Sequence, residues 1–250
     1  MSSTLKKCLL LVILLPLIVA CASTSKVGEN SAGNENVNTD PYEGLNRAIF
    51  SFNNGIDKIF LKPVAKGYKF VTPDLAEAGV SNFFSNLLEI RNIVNAGLQG
   101  KGEKTLTYTW RFIVNSTFGL FGLLDVASEM GLETEGGEDF GQTLAAWGVK
   151  SGPYIVMPFL GPSTLRDGFA IPVDSYLDPA NYVEHNATRN ALTFTEIVSI
   201  RASLLDTEKL LSGDRYVFIR DAYLQRRDYL VNDGKVKDTF GDSLGDDKDF

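Results

Sequence analysis

The chain is predicted to fold as a mostly α domain, and three observations carry that expectation. Apolar residues recur in alternating steps of three and four along several separate stretches, the period of one helix face. Prolines stand at the heads of those stretches, at 41, 63 and 73, where a helix tolerates them best. Alternating apolar and polar runs bounded by Asn-Gly or Asp-Gly turns, the mark of β-hairpins, are almost absent.

The first element is not part of that domain. Lys6 and Lys7 precede an apolar run from Leu9 to Ala20. A helix that spans about 30 Å of hydrocarbon needs roughly 20 apolar residues, so this shorter run reads as a secretory signal peptide over residues 1–20. Its last residues, Ile18-Val19-Ala20-Cys21, resemble the lipobox of bacterial lipoproteins, in which the cysteine thiol receives a diacylglycerol. Cys21 is therefore the expected lipidation site and the first residue of the mature chain. Two or more acyl chains, at about 0.8 kcal/mol per buried CH₂, anchor a protein stably where one chain does not. Residues 21–39 are rich in Ser, Asn, Gly and Glu and read as a flexible leash, because they cannot bury enough surface to offset the entropy of ordering. Residues 231–250 carry six Asp and three Lys and read as a disordered acidic tail, which leaves residues 40–230 as a single domain with room for a sizeable core.

Charge and cysteine content narrow the function classes. The full chain carries a net charge of −7, and loss of Lys6 and Lys7 takes the mature protein to about −9, the wrong sign for neutralising nucleic-acid phosphates. Cys8 leaves with the signal and Cys21 takes lipid, so no disulfide is expected and packing alone must hold the fold.

Within the domain, Asp40-Pro41-Tyr42-Glu43 has the pattern of a capping box, with Asp40 as N-cap and Glu43 reaching back. Leu45, Ile49, Phe52, Ile56 and Ile59 then form one apolar stripe. A second helix is expected after Pro63 and a third after Pro73, the latter carrying Leu75, Val80, Phe83, Phe84, Leu87 and Leu88. Two more stripes follow near the C-terminus: Phe194, Ile197, Val198, Leu204 and Leu205, then Tyr216, Ile219, Tyr223 and Leu230 backed by four arginines.

The middle of the chain is less ordinary. From Phe112 to Ala127 the residues are apolar or small except for Asn115, Ser116, Thr117 and Asp125, so a helix there would be apolar almost all round, suited to a core or to lipid. Gly119 and Gly122 would let neighbouring elements approach closely. Tyr154 to Leu160 is also apolar, but prolines at 153, 158 and 162 forbid a regular helix. It reads either as a buried core strand or as an extended piece facing acyl chains; the two readings differ in exposure.

Catalytic chemistry is thin. His185 is the only histidine, no Gly-x-Ser-x-Gly elbow is present, and neither a Walker A nor a Gly-x-Gly-x-x-Gly sequence occurs, so no cofactor, metal or nucleotide is expected and the chain does not read as an enzyme. Glu133, Glu135, Glu138 and Asp139 cluster in a Gly-rich stretch, which reads as a solvated acidic turn. Asp139-Phe140-Gly141 matches a kinase tripeptide by letters alone.

Longer motifs carry a resemblance. Asp40-Pro-Tyr-Glu-Gly-Leu-Asn-Arg47, Val114-Asn-Ser-Thr-Phe-Gly119, Gly122-Leu-Leu-Asp-Val-Ala127, Glu138-Asp-Phe-Gly-Gln-Thr-Leu144, Trp147-Gly-Val149, Gly152-Pro-Tyr154, Pro158 to Asp167 and Arg220 to Arg226 are similar to the MlaA/VacJ family of outer-membrane lipoproteins. The resemblance implies a ring-shaped, helical, membrane-embedded domain with an amphipathic central channel. It implies removal of phospholipids mislocalised to the outer leaflet, their handover to a soluble periplasmic carrier, and association with a trimeric porin. A phospholipid with roughly 30 methylenes would lose on the order of 25 kcal/mol on passing into water, so a protein path must shield its tails.

As candidates for the membrane-embedded body and lipid path we take Phe112, Phe118, Gly119, Phe121, Gly122, Leu123, Tyr154, Pro158 and Phe159. Arg166 and Asp167 are expected to pair at its polar edge. Asn46, Arg47, Asn115, Gln142 and Trp147 are expected to serve as caps, buried hydrogen bonds and packing, or to touch lipid directly. Two other readings stand beside lipid transport: an envelope scaffold that modulates a porin without moving lipid, and a hydrolase using Glu138 and Asp139.

Overall fold

The computed structural model describes residues 40–134, 136–210 and 213–235. The signal peptide, Cys21, the leash, Glu135 and all but the first residues of the acidic tail lie outside them.

The described chain is mostly helical, as its periodicity predicts. The first long element joins α1 (Glu43–Ile56) to α2 (Lys62–Val71) through a single π-helical turn at Asp57–Leu61. Pro63 is the second residue of α2, just after the π turn, where its missing N–H interrupts the helical ladder, and Pro73 stands immediately before α3 (Asp74–Leu98). A short turn leads to α4 (Gly102–Thr117), antiparallel neighbours by their connection, then to the brief α5 (Val126–Glu129) and α6 (Phe140–Ala146). A two-stranded antiparallel hairpin, β1 (Tyr154–Met157) and β2 (Gly161–Thr164), pairs Tyr154 with Thr164 and Met157 with Gly161. Three helices complete the order: α7 (Leu165–Tyr176), α8 (Asn186–Thr207) and α9 (Arg215–Val231). Among the described residues no helix is long and apolar enough to cross a membrane.

Several expectations are corrected. Asp40 does not cap α1, which begins at Glu43 with Tyr42 before it and no side-chain cap. Asp40 is instead buried, accepting hydrogen bonds from Asn46 Nδ2 at 2.7 Å and from the Tyr216 hydroxyl, so long-range partners override the local capping box. The segment Phe112–Ala127 is not one helix. It is helical only to Thr117, and Leu120, Phe121 and Gly122 then take positive φ of 54°, 61° and 90° to form a tight apolar loop. A Cβ at Gly122 would stand 2.6 Å from the Asn86 side chain on α3, so glycine permits both the turn and the close approach. The segment Tyr154–Leu160 divides between its two readings: Tyr154 and Val156 are buried, whereas Pro158, Phe159 and Leu160 stand exposed at the hairpin tip.

The largest difference concerns which way the apolar stripes face. On α1 and the π turn, Leu45, Phe52 and Ile59 point outward, Ile59 with 81% of its surface exposed, while Ile49 and Ile56 of the same stripe are half-buried and Asn46 beside them is buried. Phe70 is 90% exposed and Phe121 81%. Many buried positions are held by small or polar residues, among them Ala65, Ala96, Asn95, Glu138, Gln142 and Thr143, beside a small apolar core around Tyr154, Val156 and Tyr216 and another around Ala65, Ala202 and Leu205. Periodicity reports that a helix has an apolar face and is silent on whether that face turns inward.

Candidate functional site

The polar interior is built from few, long-range contacts. Asn46 on α1 uses its whole amide: Nδ2 donates to Asp40 and to the Tyr154 carbonyl at 3.1 Å, and Oδ1 accepts from the Val156 N–H at 2.8 Å. It thereby pins the hairpin to the first helix. Arg47, one residue on, lies at the surface between Glu43 (2.7 Å) and Asp214 (2.9 Å), its guanidinium 4.4 Å from the Tyr216 ring centroid.

Two further networks clamp the middle. Arg111 on α4 donates to Glu89 on α3 at 2.8 Å, to Asp125 at 3.1 Å and to the Leu132 carbonyl at 2.5 Å. Asn115 joins the same network, donating to Asp125 at 2.9 Å and accepting from the Ala127 N–H, so the apolar loop between them is held at its base by charge. Arg166 and Asp167 pair, at 2.9 Å, and both are buried. Arg227 reaches both Asp167 (2.9 Å) and Asp139 (2.5 Å), and the Tyr223 hydroxyl donates to Asp167 at 3.0 Å. Burial alone would raise the Asp139 carboxyl; Arg227 outweighs it and holds that group below its ordinary range.

The acidic stretch is accordingly not a solvated turn. Glu133 is exposed, but Glu138 is buried and held by Lys104 at 3.0 Å, Gln99 at 2.9 Å and Lys101 at 3.4 Å. Asp233, beyond the last helix, pairs with Lys104 at 2.8 Å and with Lys101, so the chain just after 230 is tied to the body. Asp139 caps α6 through the Gln142 N–H, and the buried Gln142 donates to the Gly137 carbonyl at 2.8 Å. Trp147 is exposed and donates its indole N–H to the Leu98 carbonyl at 3.2 Å. His185 caps α8. No group of acidic, His or Cys residues among the described ones is placed to hold a metal ion.

Candidate path residues separate into two layers. Phe118, Phe121, Leu123, Pro158 and Phe159 are exposed on loop and hairpin tips, with Phe159 edge-on to Phe52 at 5.5 Å. Tyr154 is buried, Phe112 is partly buried on α4, and Gly119 fits its turn only because a Cβ would collide with the Asn115 and Leu124 carbonyls.

Sequence reasoning missed a hollow between the long helices. A cavity of about 330 Å³ is lined by α3 and α8 with Tyr68 of α2, where Glu77, Ser81, Ser85, Glu196, Ser199 and Ser203 share the wall with Phe84, Leu88 and Ile200. Ser85 and Leu88 also line a second cavity of about 290 Å³ that continues along α3 past Asn86 and Arg91. The trace was present in the chain: Glu77, Ser81 and Ser85 fall at steps of four, a polar stripe that mirrors the apolar one.

Many large apolar side chains outside, ion pairs and amides buried beside small apolar cores, and hollows of mixed polarity between helices define a helical protein with an apolar exterior. The chain matches the MlaA lipoprotein family over residues 38–230, and it belongs to that family. It is 36% identical over 226 residues to the intermembrane phospholipid transport system lipoprotein MlaA of Escherichia coli K12, covering 88% of this chain and 87% of that one. It is 33% identical to the protein of the same name from Haemophilus influenzae, over 94% and 96% of the two chains, and 39% identical to an uncharacterised Rickettsia typhi protein, over 77% and 78%. A solved structure described as the structural basis for maintenance of bacterial outer membrane lipid asymmetry superposes with a TM-score of 0.68 at 37% identity, covering 77% of this chain and 99% of that one.

Proposed function

We propose that this protein removes phospholipids that stray into the outer leaflet of the outer membrane and passes them, unhydrolysed, to a periplasmic carrier. Cys21 anchors it, and its body sits in the membrane from the periplasmic side beside a trimeric porin, as the family resemblance implies. The hollow along α3 is then part of an amphipathic central channel within a ring of helices.

The observation that carries this reading is the apolar exterior. Exposed large apolar side chains such as Ile59, Phe60, Phe70 and Phe121 would draw water-surrounded copies together, whereas acyl chains satisfy them at no loss. Irregular backbone such as the Phe118–Asp125 loop is tolerated at membrane depth where its polar groups meet protein, and here the N–H groups of Phe121, Gly122 and Leu124 donate to the Ser116, Asn115 and Gly119 carbonyls while the Leu123 carbonyl accepts from Asn82. The hollow favours transport over a solid scaffold. Nothing in the chain supplies energy, so the direction of transfer is set by what accepts the lipid.

Purified full-length protein loaded with phospholipid and mixed with a periplasmic acceptor should give up intact lipid, read by mass spectrometry. Phe118→Asp or Leu123→Asp, at exposed loop positions where the fold tolerates charge, should abolish most of that transfer. Unchanged transfer by both variants, or release of hydrolysed lipid by the native protein, contradicts the reading.

A further inference from the structure

Where α1 runs through the π turn into α2, apolar and basic side chains share one outer surface. Ile59 and Phe60 on the turn, and Phe70 and Val71 at the end of α2, are exposed. Lysines run beside them. Lys62, Lys66 and Phe70 fall at steps of four along one row of the helix, with Lys69 next to that row and Ala65 buried on the inner side. Lys58 stands exposed one turn earlier. Lys62, Lys66 and Lys69 also line an open trough of about 570 Å³ against the end of α8.

The charges around this trough balance except for two. Glu208 is shared by Lys62 at 3.1 Å, Arg201 at 2.6 Å and Arg215 at 2.9 Å, and Asp57 meets Arg201. Asp206 holds Lys69 and Lys209, and Asp74 and Glu77 act on Lys69 electrostatically from α3. Five cations thus stand among five carboxylates. Lys58 and Lys66 lie outside that balance: among the described residues neither has an ion pair or a hydrogen bond, in a chain whose net charge is −7. On a wet surface two free lysines need no partner. Beside Phe60 and Phe70, which the membrane reading places among acyl chains, their long stems carry the ammonium groups to the headgroup layer.

We propose that the stretch from Lys58 to Val71 lies at the membrane surface, its large apolar residues among acyl chains and Lys58 and Lys66 on the phosphates of anionic lipids. The inference rests on the body sitting in the membrane, and it adds which segment meets the membrane surface and with which headgroups. An amphipathic helix with lysines along its polar flank and large apolar residues outside binds in this way, and each free lysine near an anionic surface strengthens binding by about fivefold. An acidic protein would attract the same lysines but offers nothing to Phe60 and Phe70.

The test uses the full mature chain with Cys21→Ser, so that the body alone must hold the bilayer. It is diluted from detergent onto vesicles of phosphatidylcholine, with or without about one-fifth phosphatidylglycerol, and floated on a density gradient. The chain should bind both and favour the phosphatidylglycerol vesicles by about thirtyfold at low salt, an excess that about 0.5 M salt removes. Adding Lys58→Gln and Lys66→Gln, at side chains with no partner to lose, should cut that preference to within about threefold and leave binding to pure phosphatidylcholine unchanged. Adding Ile59→Ser and Phe70→Ser should weaken binding to both. Equal affinity of the parent chain for the two vesicles, or an undiminished preference in the lysine variant, overturns the inference and leaves membrane embedding standing. A lysine variant that keeps its vesicle preference but loses transfer to a periplasmic acceptor overturns it in favour of a protein partner. Failure of the parent chain to bind either vesicle overturns the membrane reading itself.

Discussion

Two arginines one helix apart are used in opposite ways. Arg111 on α4 is saturated, holding Glu89, Asp125, Ser128 and the Leu132 carbonyl, whereas Arg91 on α3 faces a hollow with its Nε open. Both are embedded in the same polar interior, and both have carboxylates nearby. The difference lies in geometry: around Arg111 the loop after α4 folds back to deliver Asp125, and among the described residues no carboxylate forms an ion pair with Arg91. Saturated charge fastens the apolar loop to the body; open charge forms no such tie. With many apolar side chains facing outward and only small apolar clusters within, paired ions and amides share the fastening.

Arg111→Met breaks this comparison most severely. It strips Glu89 and Asp125 of their cation, and a buried carboxylate left alone typically lowers stability by about 3–5 kcal/mol. Reversible unfolding in detergent, followed by circular dichroism, should show that loss, along with earlier proteolysis in the Phe118–Asp125 loop. A loss under about 1 kcal/mol would mean that the network is surface-like and screened. Next in size is Gly122→Ala, where a φ of 90° and the Asn86 side chain both oppose a methyl group. Strain of this kind amounts to about 1–3 kcal/mol, and the same melts should register it. A neutral outcome would mean that the loop re-forms in another shape without its grip on α3.

How much of this was legible in the chain follows from how local each cause is. Helices α1 to α3, α8 and α9 could be read because three-and-four spacing and proline placement are properties of neighbouring residues. The direction of the stripes could not, since Leu45 and Ile59 have the same spacing whether they face a core or lipid. The Phe118–Asp125 loop was hidden by its own composition, because only the positive φ at Leu120 and Phe121 and the crowding at Gly119 distinguish it from an apolar helix. Glu138 looked solvated because its cations, Lys101 and Lys104, sit more than thirty residues earlier. The Glu77-Ser81-Ser85 stripe of the hollow was readable in principle, yet short polar side chains at helical spacing suit a wet surface equally well.

The smallest effect is the sharpest test of the contrast. Glu196 is pushed above its ordinary range by burial and by Asp178, and Arg91 offsets this only in part. A carboxyl raised in the folded state binds its proton more readily there than in the unfolded chain. It therefore weakens the fold as pH rises from the unfolded value of about 4.3 through the higher folded one, and the deficit persists at neutral pH. Glu208 behaves in the reverse sense: burial opposes it, but Arg201 at 2.6 Å and Lys62 hold it down to about 2, so its contribution is full above about 4.3 and lost as pH falls through about 2. In lipid-free protein Glu196→Gln should thus stabilise slightly at pH 7 and not at all below about pH 4. Glu208→Gln should destabilise at pH 7. Melting temperatures of the two variants across that pH range should diverge in opposite directions, and a destabilised Glu196→Gln would place that carboxylate among the fastenings rather than on an open wall.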